Sequence, residues 1–174
     1  MSDAWRMRDF AQLAVSALGV RRLRARSPEA AAALLEVELL LLAAWDVREA
    51  IAAAGEGGVP VKPLLDPGLR RIRDALWTAD AAIAVREASL HPRSAASASN
   101  LLVETLFVLT AWALPNGVEV DAADDGLELR LVVRYRAQAT GEPDFAQLRR
   151  DVASLGGRLD AAAAADGFLV SVAI

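Results

Sequence analysis

The sequence contains no cysteine and only one histidine among its 174 residues. The missing cysteines exclude a disulfide framework, a thiolate zinc site, an iron–sulfur cluster and a thiol nucleophile. The one histidine, His91, leaves no second imidazole for a two-histidine metal site. We therefore predict no metal and no cofactor. Lysine is almost absent too, since Lys62 is the only one and arginine carries nearly all the positive charge.

No charge pattern or hydrophobic run points to nucleic acid or to a membrane. The formal net charge of -4 provides no basic field that would attract nucleic acid. Residues 1–8 are charged and lack the apolar centre of a secretory signal. The most apolar stretch, residues 30–45, contains Glu36 and Glu38 and is shorter than the roughly 20 apolar residues of a membrane span. These features predict a cytoplasmic protein without membrane insertion.

The first third of the chain predicts a helical hairpin. Residues 4–25 place apolar side chains three to four positions apart, as one face of a helix does. Ser27-Pro28-Glu29 then gives a capping hydroxyl, a proline for the first helical position and a carboxylate for the helix dipole. A second helix should run over residues 28–54 and end at the glycine-rich segment 55–58. The short turn between two long helices requires them to fold back antiparallel.

The second predicted helix is apolar nearly all round. A helix of that kind is buried on several sides, and one partner helix cannot cover it. We therefore expect two chains to join their hairpins into a four-helix bundle, which makes the protein a homodimer. The apolar positions are Leu34, Leu35, Val37, Leu39, Leu40, Leu41, Leu42, Trp45, Val47 and Ile51.

The rest of the chain alternates helix and strand patterns and predicts an α+β sandwich. An antiparallel-rich sheet should carry its helices on one side. This organisation divides the chain into residues 1–58, a hairpin dimerisation domain, and residues 59–174, a small α/β domain. The predicted helices cover 66–81, 101–114 and 144–155, and the predicted strands cover 83–85, 118–120, 127–135, 158–162 and 168–174.

Two segments carry a resemblance to bacterial sensor histidine kinases. Residues 148–159, LRRDVASLGGRL, resemble the last helix of the kinase ATP-binding domain and the Gly-Gly entry to its next strand. Residues 101–115 followed by Asn-Gly-Val-Glu-Val resemble the asparagine-box helix and the strand after it. The hairpin resembles the kinases' dimerisation domain. The resemblance implies a long antiparallel helical hairpin followed by a histidine-kinase ATPase-like α/β sandwich.

The nucleotide-binding residues of the kinases are missing at the matching positions. Thr105 and Leu109 stand where the kinases have magnesium-binding asparagines, and Tyr135 stands near the aspartate that recognises adenine. The phosphate-binding glycine segment corresponds to residues 141–144, which carry two carboxylates. Backbone amides at a helix N-terminus bind phosphate because they are positive, and carboxylates at the same place cancel that attraction. We therefore predict that the chain has no ATP-dependent kinase activity.

Its size and lost ATP motifs resemble those of the sporulation-phosphorelay phosphotransferases. That family implies a homodimer whose first helix carries a phosphoacceptor histidine, followed by aspartate, an aromatic residue and an asparagine two residues on, and which docks response-regulator receiver domains. Here the stretch is Arg8-Asp9-Phe10-Ala11-Gln12. Because a guanidinium stays protonated, Arg8 cannot accept a phosphoryl group. We expect Arg8, Asp9 and Gln12 to form the docking surface, with no catalytic residue on the hairpin.

Two other readings of the function remain open. One is a non-catalytic adaptor or regulator that kept the fold and lost the phosphoacceptor histidine, and the other is an unrelated helical dimer. His91 does not restore the chemistry, since Pro92 makes an exposed helix face improbable there and favours an ordinary loop histidine.

Two charged clusters also have two readings each. The aspartates at 121, 124 and 125 could suggest a cation site, but the Asp-Gly turn accounts for them. The arginines between Arg21 and Arg26 suit the negative end of a helix dipole, although they could also bind nucleic acid or an acidic partner.

Overall fold

The computed structural model describes the backbone of residues 3–55, 58–77 and 81–174, and side chains from residue 11 onward within those ranges. The described part forms five helices and seven strands. The helices are α1 (Asp3–Leu23), α2 (Pro28–Ala54), α3 (Val61–Leu76), α4 (Pro92–Trp112) and α5 (Ala146–Ser154). The strands are β1 (Val59–Pro60), β2 (Ala82–Val85), β3 (Ser89–Leu90), β4 (Gly117–Asp124), β5 (Leu129–Arg136), β6 (Arg158–Ala164) and β7 (Gly167–Ala173).

The predicted hairpin is confirmed as two long helices that pack against each other. The turn between them is only four residues long, so α1 and α2 run antiparallel. Ser27 caps α2, since its Oγ accepts a hydrogen bond from the backbone amide of Ala30 at 3.2 Å. Arg22 and Glu38 form an ion pair across the hairpin at 3.4 Å. The hairpin of one chain is therefore held by local capping, a cross-helix charge pair and side-chain packing.

The main sheet is mixed, with five strands in the order β2-β4-β5-β7-β6. Strand β2 pairs parallel to β4, and every other pairing is antiparallel. The Asp-Gly turn joins β4 to β5 in the register Asp124 opposite Leu129, as the sequence predicts. Along β5 buried residues such as Leu131 alternate with exposed ones such as Arg130, so one face of the sheet is covered and the other is open. The α+β class is confirmed, with one parallel pair in a largely antiparallel sheet.

Helix α2 links the hairpin to the sheet half of the molecule. Leu35, Leu39, Ala43 and Val47 recur every four residues and are all buried. These side chains belong to the same hydrophobic cluster as the residues of α3, α4 and the inner sheet face. Outside that cluster, Arg71 of α3 holds Asp46 of α2 with both of its terminal nitrogens. The hairpin is thus packed firmly on the sheet half, and the predicted boundary at residue 58 stays a prediction.

Two helices begin earlier than the sequence patterns predict. Helix α3 starts at Val61 instead of residue 66, because Pro63 lies in its first turn, where an amide has no helical partner anyway. Helix α4 starts at Pro92 instead of residue 101. Its first turns use small buried residues, Ala95, Ala98 and Ser99. A helix contact formed by small side chains shows no periodic pattern of large apolar residues, so the sequence pattern does not reveal where such a helix begins.

Glycine at the entry to β6 is required by close packing. A Cβ atom on Gly157 would lie 2.3 Å from the carbonyl oxygen of Ala173. The preceding Gly156 adopts a positive φ of 81° and ends α5. The Gly-Gly pair therefore lets the chain turn sharply from α5 into the edge strand.

Candidate functional site

The predicted docking residues lie on the N-terminal half of α1. The backbone of Arg8 and Asp9 is helical, and their side chains lie outside the described part of the structure. Gln12 is exposed and lines a groove of about 390 Å³ between α1 and α2, which we term the hairpin groove. Its other lining residues are Ala11, Val15, Ser16, Leu41, Leu42 and Trp45.

Both helices of the hairpin carry large apolar side chains that the single chain leaves uncovered. Leu13 is 70% exposed and Leu41 is 38% exposed, and Val20 and Val37 are exposed as well. At the groove, Arg48 extends its guanidinium over the ring of Trp45, 5.7 Å from the ring centroid. Exposed large apolar residues on helices are more typical of a protein–protein contact than of a small-molecule pocket.

A second cavity, of about 580 Å³, lies between α2, α4 and the start of α5. We term it the acidic groove. Its floor is the apolar C-terminal half of α4, and its rim includes Glu142, Pro143 and Asp144 from the segment that corresponds to the kinases' phosphate loop. The full lining comprises Glu36, Glu104, Phe107, Val108, Ala111, Trp112, Glu142, Pro143, Asp144, Gln147, Leu148 and Asp151.

All five ionisable side chains that line the acidic groove are carboxylates: Glu36, Glu104, Glu142, Asp144 and Asp151. Burial raises the pKa of Glu104, and the nearby charges of Asp151 and Glu36 raise it further. Burial likewise raises the pKa of Glu36. A polyphosphate placed in this groove would meet negative charge from α2, α4 and α5 without an arginine or lysine among the described lining residues. The arrangement opposes anions and favours cations.

The three positions expected to replace the nucleotide ligands of the kinases are in the hydrophobic core. Thr105, Leu109 and Tyr135 are fully buried, and none of them lines the acidic groove. The Tyr135 hydroxyl donates to the carbonyl oxygen of Ala113 at 2.7 Å. Burial raises the pKa of Tyr135 to about 12, so the hydroxyl stays protonated. These side chains serve packing, and none presents a ligand atom to a nucleotide.

A chain of polar groups surrounds Tyr135 and fastens α4 to its neighbours. The hydroxyl of Thr110 lies 3.3 Å from that of Tyr135 and accepts a hydrogen bond from the indole nitrogen of Trp77 at 3.0 Å. The network joins the end of α3, the last turn of α4 and strand β5. It fixes the C-terminal half of α4, which forms the floor of the acidic groove.

His91 has a structural role at the start of α4. Its Nδ1 accepts a hydrogen bond from the backbone amide of Arg93 at 3.2 Å, so it caps the helix. Its own backbone amide donates to Asp124 at 3.2 Å. The expected turn role is confirmed for two of the three aspartates, since Asp124 accepts from the amide of Gly126 and Asp125 from that of Glu128. Asp121 instead lies on β4 and pairs with Arg86 at 2.9 Å. Within the described residues, no group of three or more His, Asp or Glu side chains is placed to hold a metal ion.

Comparison with solved structures shows a histidine-kinase-like fold. No protein-family model and no curated protein matches the sequence. The histidine kinase domain of the Erythrobacter litoralis EL346 blue-light activated kinase superposes with a TM-score of 0.61 at 16% identity, over 95% of this chain and 94% of that one. A longer chain of the E. litoralis EL346 kinase gives a TM-score of 0.63 at 16% identity, over all of this chain and 60% of that one. A bacterial phosphotransferase gives 0.46 at 13% identity over 93% and 87%. The two kinase structures support the histidine-kinase-like fold.

The sequence did not predict that the residues of the acidic groove lie together. Glu142 and Asp144 were singled out, but Glu36, Glu104 and Asp151 were not, because they come from three separate helices. The available signal was a carboxylate inside an otherwise apolar helical stretch. Glu104 is the single charge within residues 101–109 of α4, and Glu36 lies with Glu38 amid the leucines of α2. A charge at such a position indicates a helix face that borders a cavity or solvent.

Proposed function

We propose that this chain is a two-component or phosphorelay signalling protein that docks a response-regulator receiver domain and has no ATP-dependent kinase activity of its own. The observation that carries the proposal is the combination of a histidine-kinase-like fold with an acidic groove and buried core residues at the nucleotide positions. Such a protein would retain the recognition surfaces of the fold without its nucleotide chemistry. The sequence resemblance to sporulation-phosphorelay phosphotransferases supports the same class.

The receiver would dock on α1 around Arg8, Asp9 and Gln12. Gln12 is exposed at the hairpin groove, so a partner can reach this part of α1. Arg8 stands at the position of the family's phosphoacceptor histidine. Its guanidinium cannot accept a phosphoryl group, but its planar donors match phosphate oxygens in pairs. We infer that Arg8 recognises a phosphorylated receiver aspartate instead of accepting its phosphoryl group.

A second copy of the chain would cover apolar side chains that the hairpin leaves exposed, including Leu41, which lines the hairpin groove. Leu41 and Val37 of α2 and Leu13 and Val20 of α1 are exposed in the single chain. Pairing two hairpins into a four-helix bundle removes such side chains from water, which is the main favourable contribution to association. The proposed assembly is a homodimer that presents two receiver-docking surfaces.

The second candidate is a non-catalytic adaptor or regulator that kept the fold and lost the phosphoacceptor histidine. The absence of a histidine from residues 1–58 favours it, because the family's phosphoacceptor is a histidine. The two candidates differ in one measurable property, the preference for a phosphorylated receiver.

The test is binding of purified receiver domains, each in its phosphorylated and unphosphorylated form, to the wild type and to Arg8→Ala. The loss of a hydrogen bond to a charged group costs about 1.5–3 kcal/mol, and we expect that loss for the phosphorylated form only. Arg24→Ala, an exposed arginine in the turn after α1, is the matched control. Equal loss for both receiver states would favour the adaptor, and no receiver binding at all would overturn the proposal.

A further inference from the structure

We propose that the acidic groove is a docking site for a cationic amphipathic helix of a partner protein. The groove is a separate surface from the hairpin groove, with no lining residue in common. It combines an apolar floor with a rim of like charge. Each of these features constrains the partner in a different way.

The floor of the groove has the shape and chemistry that an amphipathic helix requires. Phe107, Val108, Ala111 and Trp112 lie on one side of α4, spaced as neighbours one turn apart, and Leu148 and Pro143 face them from the α5 side. Phe107, Val108 and Trp112 are only partly buried, so they retain apolar surface for a partner. A cleft between helices with an apolar floor accepts the apolar face of another helix.

The rim determines the charge of that helix. The five carboxylates come from α2, α4, α5 and the loop that precedes α5, and no described cation forms an ion pair with any of them. Glu36 and Glu104 face each other across α2 and α4 with the pKa of both raised by burial. Lysines or arginines of a partner would offset this repulsion while their neighbours filled the floor, which makes a cationic helix the complementary occupant.

Trp112 offers a further contact at one end of the groove. Its ring packs edge-on against Phe168, with 5.1 Å between the ring centroids, so its position is fixed by the sheet. Its indole N–H has no acceptor among the described residues. An aromatic residue held in this way presents a rigid apolar anchor, and aromatic anchors contribute strongly to helix docking.

The test uses a synthetic peptide of about 14 residues, composed of leucine and lysine with the leucines at helical spacing. Its control is a peptide of the same composition with the leucines scattered around the helix. We expect fluorescence anisotropy to show saturable binding of the first peptide and at least about tenfold weaker binding of the second. Equal binding of both peptides would show non-specific charge attraction only and would overturn the proposal.

Two variants locate the site. Glu36→Gln combined with Glu104→Gln removes two rim charges, and we expect about tenfold weaker binding of the amphipathic peptide. Glu49→Gln combined with Glu87→Gln makes the same charge change at exposed positions outside the groove and should leave binding unchanged. Ala111→Trp fills the floor from an exposed position and should abolish binding while circular dichroism stays native. Binding that follows net charge alone, or that survives Ala111→Trp, would contradict the docking site.

Discussion

Glu104 is a carboxylate in an unfavourable environment at the acidic groove. It is half-buried on α4, and the negative charges of Asp151 and Glu36 lie close to it. Burial and these like charges both disfavour its ionised form, so the pKa of Glu104 is raised in the folded protein. At neutral pH the isolated chain therefore tolerates an unfavourable charge, as proteins often do at binding sites.

We expect Glu104→Gln to stabilise the protein at pH 7 by up to about 1 kcal/mol, a figure that allows for partial solvent screening. The sign follows from proton linkage. A carboxyl group with a raised folded pKa binds its proton more tightly when folded, so stability falls as pH rises from the ordinary glutamate pKa through the folded value.

Below the ordinary glutamate pKa the side chain is protonated in both states, and the gain from Glu104→Gln should disappear. Urea unfolding at several pH values measures this, with the exposed Glu87→Gln as a control that should change stability little. A stabilisation that stays constant from pH 4 to pH 7, within roughly half a kcal/mol, would contradict the charge argument.

Helix α2 serves two environments at once. One face carries the buried stripe Leu35, Leu39, Ala43 and Val47, which packs into the core of the sheet half. Another face carries Val37 and Leu41, which remain exposed in the single chain. The apolar residues that surround α2 are thus divided between the core and an exposed surface.

Leu39→Ala should destabilise the protein by about 2–5 kcal/mol, because it removes a buried side chain from a shared core and leaves a cavity. Leu155→Ala is the matched control, since Leu155 lies just after α5 and is 62% exposed. Chemical denaturation of both variants measures the difference. Similar losses for the two would mean that α2 does not anchor the hairpin to the sheet half.

The sequence predicted elements best where a cap or a strong alternation marked them. The start of α2 followed from the Ser-Pro-Glu triplet, and the β4–β5 hairpin followed from the Asp-Gly turn. The start of α4 was missed because Ala95, Ala98 and Ser99 are core residues too small to produce an apolar pattern. The short pair β1–β3 has two residues in each strand, too few for any periodicity.

The candidate site could be predicted only in part. Single positions such as Thr105 and Tyr135 led to the prediction that nucleotide ligands are absent, and the structure buries both side chains in the core. The acidic groove depends on how α2 packs against α4 and α5, a long-range arrangement that no local pattern encodes. Local chemistry was therefore predictable, and the surface that three helices form together was not.

At the scale of the whole molecule, the uncovered hairpin surface supports the proposed homodimer. Leu41→Glu should convert a dimer to a folded monomer, because Leu41 is partly exposed in the single chain and the charge would be buried only at the interface. Ala32→Glu makes the same change on the opposite side of α2, at an exposed position, and should leave the dimer intact. Light scattering of the wild type and of the two variants measures their oligomeric states. A monomeric wild type would refute the four-helix bundle.

On this proposal a histidine-kinase-like fold keeps its surfaces for protein partners but does not bind nucleotide. Isothermal titration of the purified chain with Mg-ATP measures nucleotide binding. Because the acidic groove opposes polyphosphate and Thr105, Leu109 and Tyr135 are buried in the core, we predict no measurable heat of binding at millimolar nucleotide. Saturable binding of Mg-ATP in the micromolar range would contradict the account.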